Sequence, residues 1–281
     1  MHPWCTRLNF IIEPAPAMHH TPPSRYTVRP CTATALPSTM QHELRQRLAR
    51  VHERIESAAR DAGRDPASVR LIAVAKTRSA EEIRALAKEG VTDIGENYLQ
   101  EALDKQRALA DLPLCWHFVG ALQSNKTRAV AEHFDWVHSV DRLRLLERLA
   151  RQRPAARGPL NVCLQVNLDA ERSKAGLAPG DVEAVLTAAR ELPGITVRGL
   201  MALPAPRSDA AAQREPFRTL AALARRLEAG LPGAKLDVLS MGMSDDLEAA
   251  VAEGATHLRI GTALFGPRPA GATTGQKGVQ A

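Results

Sequence analysis

The chain has 281 residues, of which 44% are hydrophobic and 24% charged, and this composition excludes collagen-like and disordered proteins. Thirty-seven Lys and Arg against 31 Asp and Glu give a net charge of +6, which suggests nucleic acid or an anionic ligand as a partner. The aromatic content is only 4%, which argues against the stacking of nucleic-acid bases on the protein.

Most of the excess positive charge lies in the two ends of the chain. Residues 1–39 hold three Arg and one Glu, and residues 267–281 hold one Arg, one Lys and no acid. Four of the six surplus charges are therefore outside residues 40–266, and nucleic-acid binding becomes a minor interpretation. No apolar run reaches the roughly 18 residues that span a membrane. The four cysteines have no metal-ligand spacing, so no metal site is expected, and reduced thiols predict a cytoplasmic protein.

Residues 1–39 contain seven prolines and six threonines without apolar periodicity. We expect a disordered or spurious extension there rather than a targeting signal, because the prolines prevent an amphipathic helix. From Met40 the residues Leu44, Leu48, Val51 and Ile55 recur at helical spacing, which predicts a helix that ends before Gly63. A strongly helical start also favours Met40 as the true first residue.

Beyond this helix, short apolar runs alternate with amphipathic segments. Eight runs are strand candidates: 69–76, 91–97, 115–120, 135–140, 160–168, 197–203, 235–242 and 257–265. Helices are predicted between them, one with a capping box of Ser79 and Glu82, another capped by Ser244.

The strand runs are continuously apolar, which is typical of parallel strands buried on both faces. We therefore predict a single-domain α/β protein, a (β/α)8 TIM barrel over residues 40–266 with an extra N-terminal helix, followed by a flexible tail over 267–281. Only seven helices follow strands in this assignment, and the helix from Met40 would cover the seam left by the eighth. An open doubly wound sheet is the alternative, but its Gly-rich first turn is missing.

Active sites of such barrels lie at the carboxyl ends of the strands. Lys76 ends the first strand after five apolar residues. Burial there would lower the pKa of its ammonium group and let the amine attack a carbonyl, as Schiff-base lysines do. The alternative is a lysine that only extends from a strand end to water.

The loops after strands 7 and 8 are the usual phosphate site of this fold. Ser240 to Ser244 lead into a predicted helix, and Arg259 to Thr262 offer a hydroxyl and a glycine that an anion can approach. An ordinary helix cap and a conformational glycine are the alternatives. A phosphate opposite a reactive lysine indicates a sugar phosphate or pyridoxal phosphate. Arg259 could face the ring nitrogen of pyridoxal phosphate and weaken its electron sink, or could simply bind the phosphate.

Other strand-end residues are weaker candidates. His117 and His138 could be general bases, but a lone strand-end His is more often a hydrogen-bonded structural group. Glu96 could orient Lys76 or Asn97, or be a charge at the rim of the site. The segment 123–126 (QSNK) is typical of a polar helix start.

Seven sequence blocks, in order along the chain, carry a family resemblance. They are AVAKTRS (73–79), GENYLQE (95–101), WHFVGALQSNKTR (116–128), VNLDAERSKAGL (166–177), GLMALP (199–204), SMGMSDDLEAA (240–250) and RIGTALFG (259–266). Together they resemble the pyridoxal phosphate homeostasis family. One departure is Ala75, where family members commonly have Ser.

The resemblance implies a barrel similar to the N-terminal domain of alanine racemase. It implies that Lys76 carries pyridoxal phosphate as an internal aldimine and that Asn97 neighbours the cofactor. It further implies that Arg259 faces the ring nitrogen, and that the phosphate is bound by Ser240, Gly261 and Thr262.

The expected function is intracellular pyridoxal phosphate homeostasis without significant catalysis, with the cofactor buffered, carried or delivered, and PLP-dependent apoenzymes as candidate partners. Racemisation needs a base on each face of the cofactor ring, and racemases take one from a second domain that this chain has no room for. A PLP-dependent amino-acid racemase or related Schiff-base enzyme is the alternative. We expect a monomer or weak dimer, and neither nucleic acid nor a membrane as partner.

Overall fold

The structure is a computed structural model, and it describes residues 36–169 and 175–267. The predictions for residues 1–35 and 268–281 lie outside the described residues. The described residues include the domain predicted at residues 40–266, except for residues 170–174.

Eight parallel strands close into a barrel in chain order, and β8 pairs with β1. The strands are β1 (Arg70–Val74), β2 (Asp93–Glu96), β3 (Cys115–Phe118), β4 (Trp136–Val140), β5 (Leu160–Gln165), β6 (Ile195–Met201), β7 (Val238–Ser240) and β8 (His257–Ile260). Each predicted run contains or overlaps one of these strands. The (β/α)8 barrel is confirmed, and the open sheet is excluded because the strands close on themselves.

Helices surround this barrel. They are α1 (Ser38–Asp61), α2 (Ala80–Lys88), α3 (Leu99–Ala108), α4 (Thr127–His133), α5 (Leu143–Gln152), α6 (Val182–Ala189), α7 (Ala210–Gly230), α8 (Leu247–Ala252) and α9 (Thr262–Phe265). Segment 123–126 is the predicted helix start, because the 3-10 turn Ser124–Lys126 leads directly into α4.

The count of seven helices after strands is wrong. The last strand ends at Ile260, and Thr262–Phe265 forms a short eighth helix. Hydropathy extends the predicted strand over this segment because a buried single turn and a buried strand share one hydropathy pattern. The extra helix α1 packs against α2, α8 and α9 and so covers the seam beside this short turn, as predicted.

The two predicted helix caps have different outcomes. Ser79 forms a full capping box, in which its Oγ accepts from the Glu82 N–H at 3.2 Å and the Glu82 carboxylate accepts from the Ser79 N–H at 2.8 Å. The Ser244 cap is wrong, because α8 begins only at Leu247 with Asp246 at its N-cap. Ser244 Oγ instead accepts from the Ala263 N–H at 3.1 Å.

The apolar core lies between the barrel and its helices, with side chains such as Ile83, Leu146 and Phe217 fully buried. The interior of the barrel is more polar. Three histidine rings lie there with their centroids within 6.5 Å of one another: His117 of β3, His138 of β4 and His257 of β8. Because β8 is not a neighbour of β3 or β4 in the barrel, these contacts cross the interior. No helix in the described ranges is long and apolar enough to cross a membrane.

Candidate functional site at the carboxyl ends of the strands

A cavity of about 360 Å³ opens where β1, β2, β7 and β8 end, a size suited to a small ligand. Five of the six predicted site residues line it: Lys76, Asn97, Arg259, Gly261 and Thr262. A larger groove of about 730 Å³ lies on the outer helices around α1 and α8, away from the strand ends. The fold therefore brings most of the predicted residues to one place.

Lys76 follows β1 in a segment that is hydrogen-bonded to side chains of α3. The Lys105 ammonium of α3 donates to the Ala75 carbonyl at 2.6 Å, and the Thr77 N–H donates to the Glu101 carboxylate at 2.6 Å. Thr77 has a φ of +63°, which is strained for a β-branched residue. The residues on both sides of Lys76 are thus fixed by side chains of α3, and this directs the lysine into the cavity.

Lys105 also joins two carboxylates. Its Nζ lies 2.7 Å from Glu96 Oε1 and 2.5 Å from Glu101 Oε1. Glu96 is fully buried, and burial raises the pKa of its carboxyl to about 7 although the Lys105 charge opposes the shift. Glu96 is therefore not a charge at the rim. It anchors Lys105 below the Lys76 segment.

Asn97 ends β2 and lies against the next loop. A Cβ at Gly120 would sit 2.3 Å from the Asn97 carbonyl oxygen, so glycine is required for this close approach. Asn97 Oδ1 is buried and has no hydrogen-bond partner among the described residues. A buried polar atom of this kind is normally satisfied, and a polar ligand in the cavity would satisfy it.

Arg259 enters the cavity from β8 and is 5% exposed. Its Nη2 donates to the Ala202 carbonyl at 2.9 Å and its Nη1 to Ser240 Oγ at 2.7 Å. Burial lowers the pKa of the guanidinium to about 10, so it remains charged at neutral pH. Ser240 is fully buried and is not one of the residues lining the cavity; it contacts the site through Arg259.

The loops after β7 and β8 are joined by the hydrogen bond from Ala263 to Ser244. Ser244 and Thr262 line the cavity here. Gly261 has a φ of −114°, and a Cβ there would lie at ordinary contact distance, 3.5 Å, from the Val74 carbonyl oxygen. The backbone does not demand glycine at this position.

Positive charge prevails around the cavity. Lys76, Arg78 and Arg259 line it together with one carboxylate, Asp245. Arg78 is partly committed, since it donates to the Gly266 carbonyl at 2.6 Å. Three cations against one carboxylate favour an anionic ligand such as a phosphate ester.

The two histidines considered as bases are fully buried inside the barrel. His117 Nδ1 lies 3.0 Å from His138 Nε2, and burial lowers the pKa of both rings, that of His138 far below its usual value. Neither lines the cavity. The structural interpretation, a hydrogen-bonded histidine, fits both.

Comparison with known proteins places this chain in a family. Residues 47–269 match the family model described as alanine racemase, N-terminal domain. A pyridoxal phosphate homeostasis protein of Pseudomonas aeruginosa is 58% identical over 227 residues, which are 81% of this chain and 96% of that protein. The chain belongs to the pyridoxal phosphate homeostasis family. The Escherichia coli K12 member is 46% identical over 230 residues, 81% of this chain and 97% of its own.

Solved structures agree with this family assignment. PipY of Synechococcus elongatus, solved with PLP bound, superposes with a TM-score of 0.71 at 42% identity and covers 79% of this chain and all of its own. An alanine racemase of Clostridium difficile is 14% identical with a TM-score of 0.64, and the match covers 82% of this chain and 58% of the racemase. The racemase therefore shares the barrel fold alone.

The sequence patterns do not predict two residues of the site, Arg78 and Lys105. Arg78 lies only two residues beyond Lys76, and this spacing places it at the same strand end. Lys105 was one of seven lysines in the chain, but its contact with Ala75 joins residues 30 apart, which local patterns do not encode.

Proposed function

We propose that this protein binds pyridoxal phosphate in the cavity at the carboxyl ends of the strands and serves in intracellular pyridoxal phosphate homeostasis, without significant catalysis. The observation that carries the proposal is the convergence of Lys76, Asn97 and Arg259 on one positively charged cavity. The names of the relatives and the bound PLP in PipY support it.

The residues present fit this cofactor. The Lys76 amine would condense with its aldehyde, forming a C=N bond and releasing water. Asn97 would present its unsatisfied carboxamide to a polar group of the ring, and Arg259 would donate to the ring nitrogen. Gly261 and Thr262 would contact the phosphate. Ser240, the sixth residue of the expected site, contacts the site through Arg259. When bound, the cofactor supplies an aldehyde and an electron-withdrawing ring.

The proposal that turnover is negligible has support in the titratable groups around the cavity. Among the described residues these are Lys76, Arg78, Asp245 and Arg259, and no tyrosine is one of them. Racemisation needs a proton donor and acceptor on opposite faces of the ring. Arg259 would also leave the ring nitrogen unprotonated, which weakens electron withdrawal.

The binding proposal is tested on the purified protein with added cofactor. A visible absorption band should form, and borohydride reduction followed by peptide mapping should place the label on Lys76. Lys76→Ala should lose both signals, whereas Lys88→Ala, on the outer face of α2, should keep them. A persistent band in Lys76→Ala would show that the lysine assignment is incorrect.

The alternative function, a PLP-dependent racemase or related Schiff-base enzyme, predicts turnover of amino acids. The loaded protein should racemise common amino acids no faster than free cofactor at the same concentration. A rate above that control, lost in Lys76→Ala, would establish the enzyme instead.

Delivery of the cofactor to apoenzymes is the cellular role we propose, in the cytoplasm and by a monomer or weak dimer. Free thiols at Cys115 and Cys163 are compatible with a reducing compartment. Loaded protein should activate a PLP-dependent apoenzyme faster than an equal concentration of free cofactor. Equal rates would exclude direct transfer.

A further inference from the structure

A chain of hydrogen bonds runs through the interior of the barrel from its amino-terminal end to the cavity. We call it the interior chain, and it consists of Asp93, His117, His138, Ser240 and Arg259. The contacts are His117 Nε2 to Asp93 Oδ1 at 2.9 Å, His117 Nδ1 to His138 Nε2 at 3.0 Å, His138 Nδ1 to Ser240 Oγ at 2.7 Å, and Arg259 Nη1 to Ser240 Oγ at 2.7 Å.

The strand positions show that this chain crosses the barrel from end to end. Asp93 is the first residue of β2, where the Arg70 guanidinium, 51% exposed, donates to it at 3.0 Å. His117 and His138 occupy middle positions of β3 and β4, and Ser240 is the last residue of β7. The intermediate members are fully buried, so water does not compete for their hydrogen bonds.

The direction of each hydrogen bond follows from the chemistry of the members. Burial opposes ionisation of Asp93, but the hydrogen bonds from His117 and Arg70 and the charge of Arg70 lower its pKa, so this carboxylate only accepts. His117 must then carry its proton on Nε2. As a neutral ring it has a bare Nδ1, which accepts from His138 Nε2.

The same logic continues to the cavity. Neutral His138, protonated on Nε2, has a bare Nδ1 that accepts from the Ser240 hydroxyl. Ser240 has a single proton to donate, and it goes to His138. The serine oxygen is then an acceptor toward Arg259, which cannot act as an acceptor itself. With both histidine rings neutral and the Asp93 carboxylate only accepting, this is the one arrangement of protons that satisfies all four contacts.

We propose that the interior chain orients Arg259 in the cavity, and that Ser240 is a positioning residue for this arginine rather than a phosphate ligand. The inference rests on the proposed function, since Arg259 is taken to face the cofactor. Its basis is the single Ser240 proton, which cannot serve a phosphate oxygen and His138 at once. With Nη1 held by Ser240 and Nη2 by Ala202, the guanidinium plane is fixed before a ligand arrives.

The proton arrangement is tested on the unchanged protein without added cofactor. Long-range proton–nitrogen NMR at neutral pH distinguishes the two ring nitrogens of each histidine. We expect His117 and His138 both neutral and protonated on Nε2. A proton on Nδ1 of either ring, or a charged ring, would overturn the proposed direction of the chain.

The role of Ser240 is tested by comparing pyridoxal phosphate with pyridoxal, which lacks the phosphate. Ser240→Ala should lower the affinity for both ligands by the same factor, roughly tenfold, as expected for the loss of one charge-assisted hydrogen bond. Thr262→Ala, at the expected phosphate contact, should weaken pyridoxal phosphate alone. If Ser240→Ala behaved like Thr262→Ala, Ser240 would be a phosphate ligand and the proposal would be wrong.

A second variant tests the chain beyond Ser240. His138→Leu should lower the affinity for both ligands by about the same factor as Ser240→Ala. The double variant should lose no more affinity than either single variant, because both substitutions break the same interior chain. Ser57→Ala, on the outer face of α1, is the matched control and should leave both affinities unchanged. Additive losses would refute the coupling. If the unchanged protein bound no pyridoxal phosphate, the proposed function would fail, whereas the histidine tautomers would still decide the direction of the chain.

Discussion

Lys105→Met tests the support beneath Lys76 most directly, because it keeps the length of the side chain and removes its charge. Lys105 is 7% exposed in its side chain and contacts the fully buried Glu96 and the partly exposed Glu101. The substitution leaves the Glu96 carboxylate without its cation, and the Ala75 carbonyl keeps only the Arg78 N–H as a donor. Removing one partner of a buried ion pair typically costs ~3–5 kcal/mol.

The pKa of Glu96 sets the pH dependence of this cost. Its value of about 7 in the folded protein, against 4.5 for the free side chain, shows that the charged form is penalised by about 3 kcal/mol at ~1.4 kcal/mol per pKa unit. Without Lys105 this penalty grows, and the carboxyl stays protonated to higher pH. At pH 8 we expect Lys105→Met to lose about 3 kcal/mol of unfolding free energy. At pH 5.5 Glu96 is already protonated, and the loss should fall to about 1–2 kcal/mol, the cost of unpaired polar groups.

The measurement is urea unfolding at both pH values, followed by the fluorescence of the buried Trp116 and Trp136. Lys88→Met is the exposed control and should change the free energy of unfolding by at most about 0.5 kcal/mol. Adding Glu96→Gln to Lys105→Met should recover part of the loss at pH 8, because a neutral amide needs no cation. A loss that is below 1 kcal/mol, or equal at both pH values, would contradict the account of the ion pair.

Two further predictions concern the site and the interior. Gly120→Ala should displace the Asn97 backbone, because its Cβ would lie 2.3 Å from that carbonyl oxygen. We expect weaker pyridoxal phosphate binding and a lower melting temperature by calorimetry, whereas Gly180→Ala, with nothing within 4 Å of its Cβ, should change neither. His257→Leu should flatten the loss of stability in acid, because burial lowers the folded pKa of His257 to about 3. Its unfolded ring binds a proton below about pH 6.5, so stability falls with pH from there to pH 3 by up to ~1.4 kcal/mol per unit. Stability is measured by urea midpoints across this pH range. If His257→Leu lost stability in acid as steeply as the exposed His133→Leu control, His257 would not be the origin of the loss.

Sequence patterns predict the barrel well because each buried strand needs an apolar run of its own. They also place Lys76, Asn97 and Arg259 at strand ends, and a parallel barrel brings strand ends together. The predicted helix start at Ser244 is wrong because an N-cap is defined by backbone geometry, and Asp245 and Asp246 offer competing carboxylates.

The polar contacts beneath the site could not be predicted in the same way. His117 and Ser240 contact through His138, which is 102 residues from Ser240, and no local spacing connects them. A strand-end serine has the same sequence signature whether it faces a ligand or another side chain. Only the partners of its single proton distinguish the two roles.

The two networks under the cavity respond to pH in opposite directions. Glu96 has a raised pKa, so the folded protein holds the extra proton and stability falls as pH rises from 4.5 to about 7. Asp93 and His257 have lowered pKa values, so the unfolded chain holds the extra protons and stability falls as pH decreases, from about 6.5 for His257 and from about 4 for Asp93. His117 and His138 also have lowered pKa values, so three histidines oppose the single Glu96 below pH 6.5, and the maximum of stability lies near pH 6.5. Loss on the alkaline side therefore reports the support of Lys76, and loss on the acid side reports the barrel interior that holds Arg259.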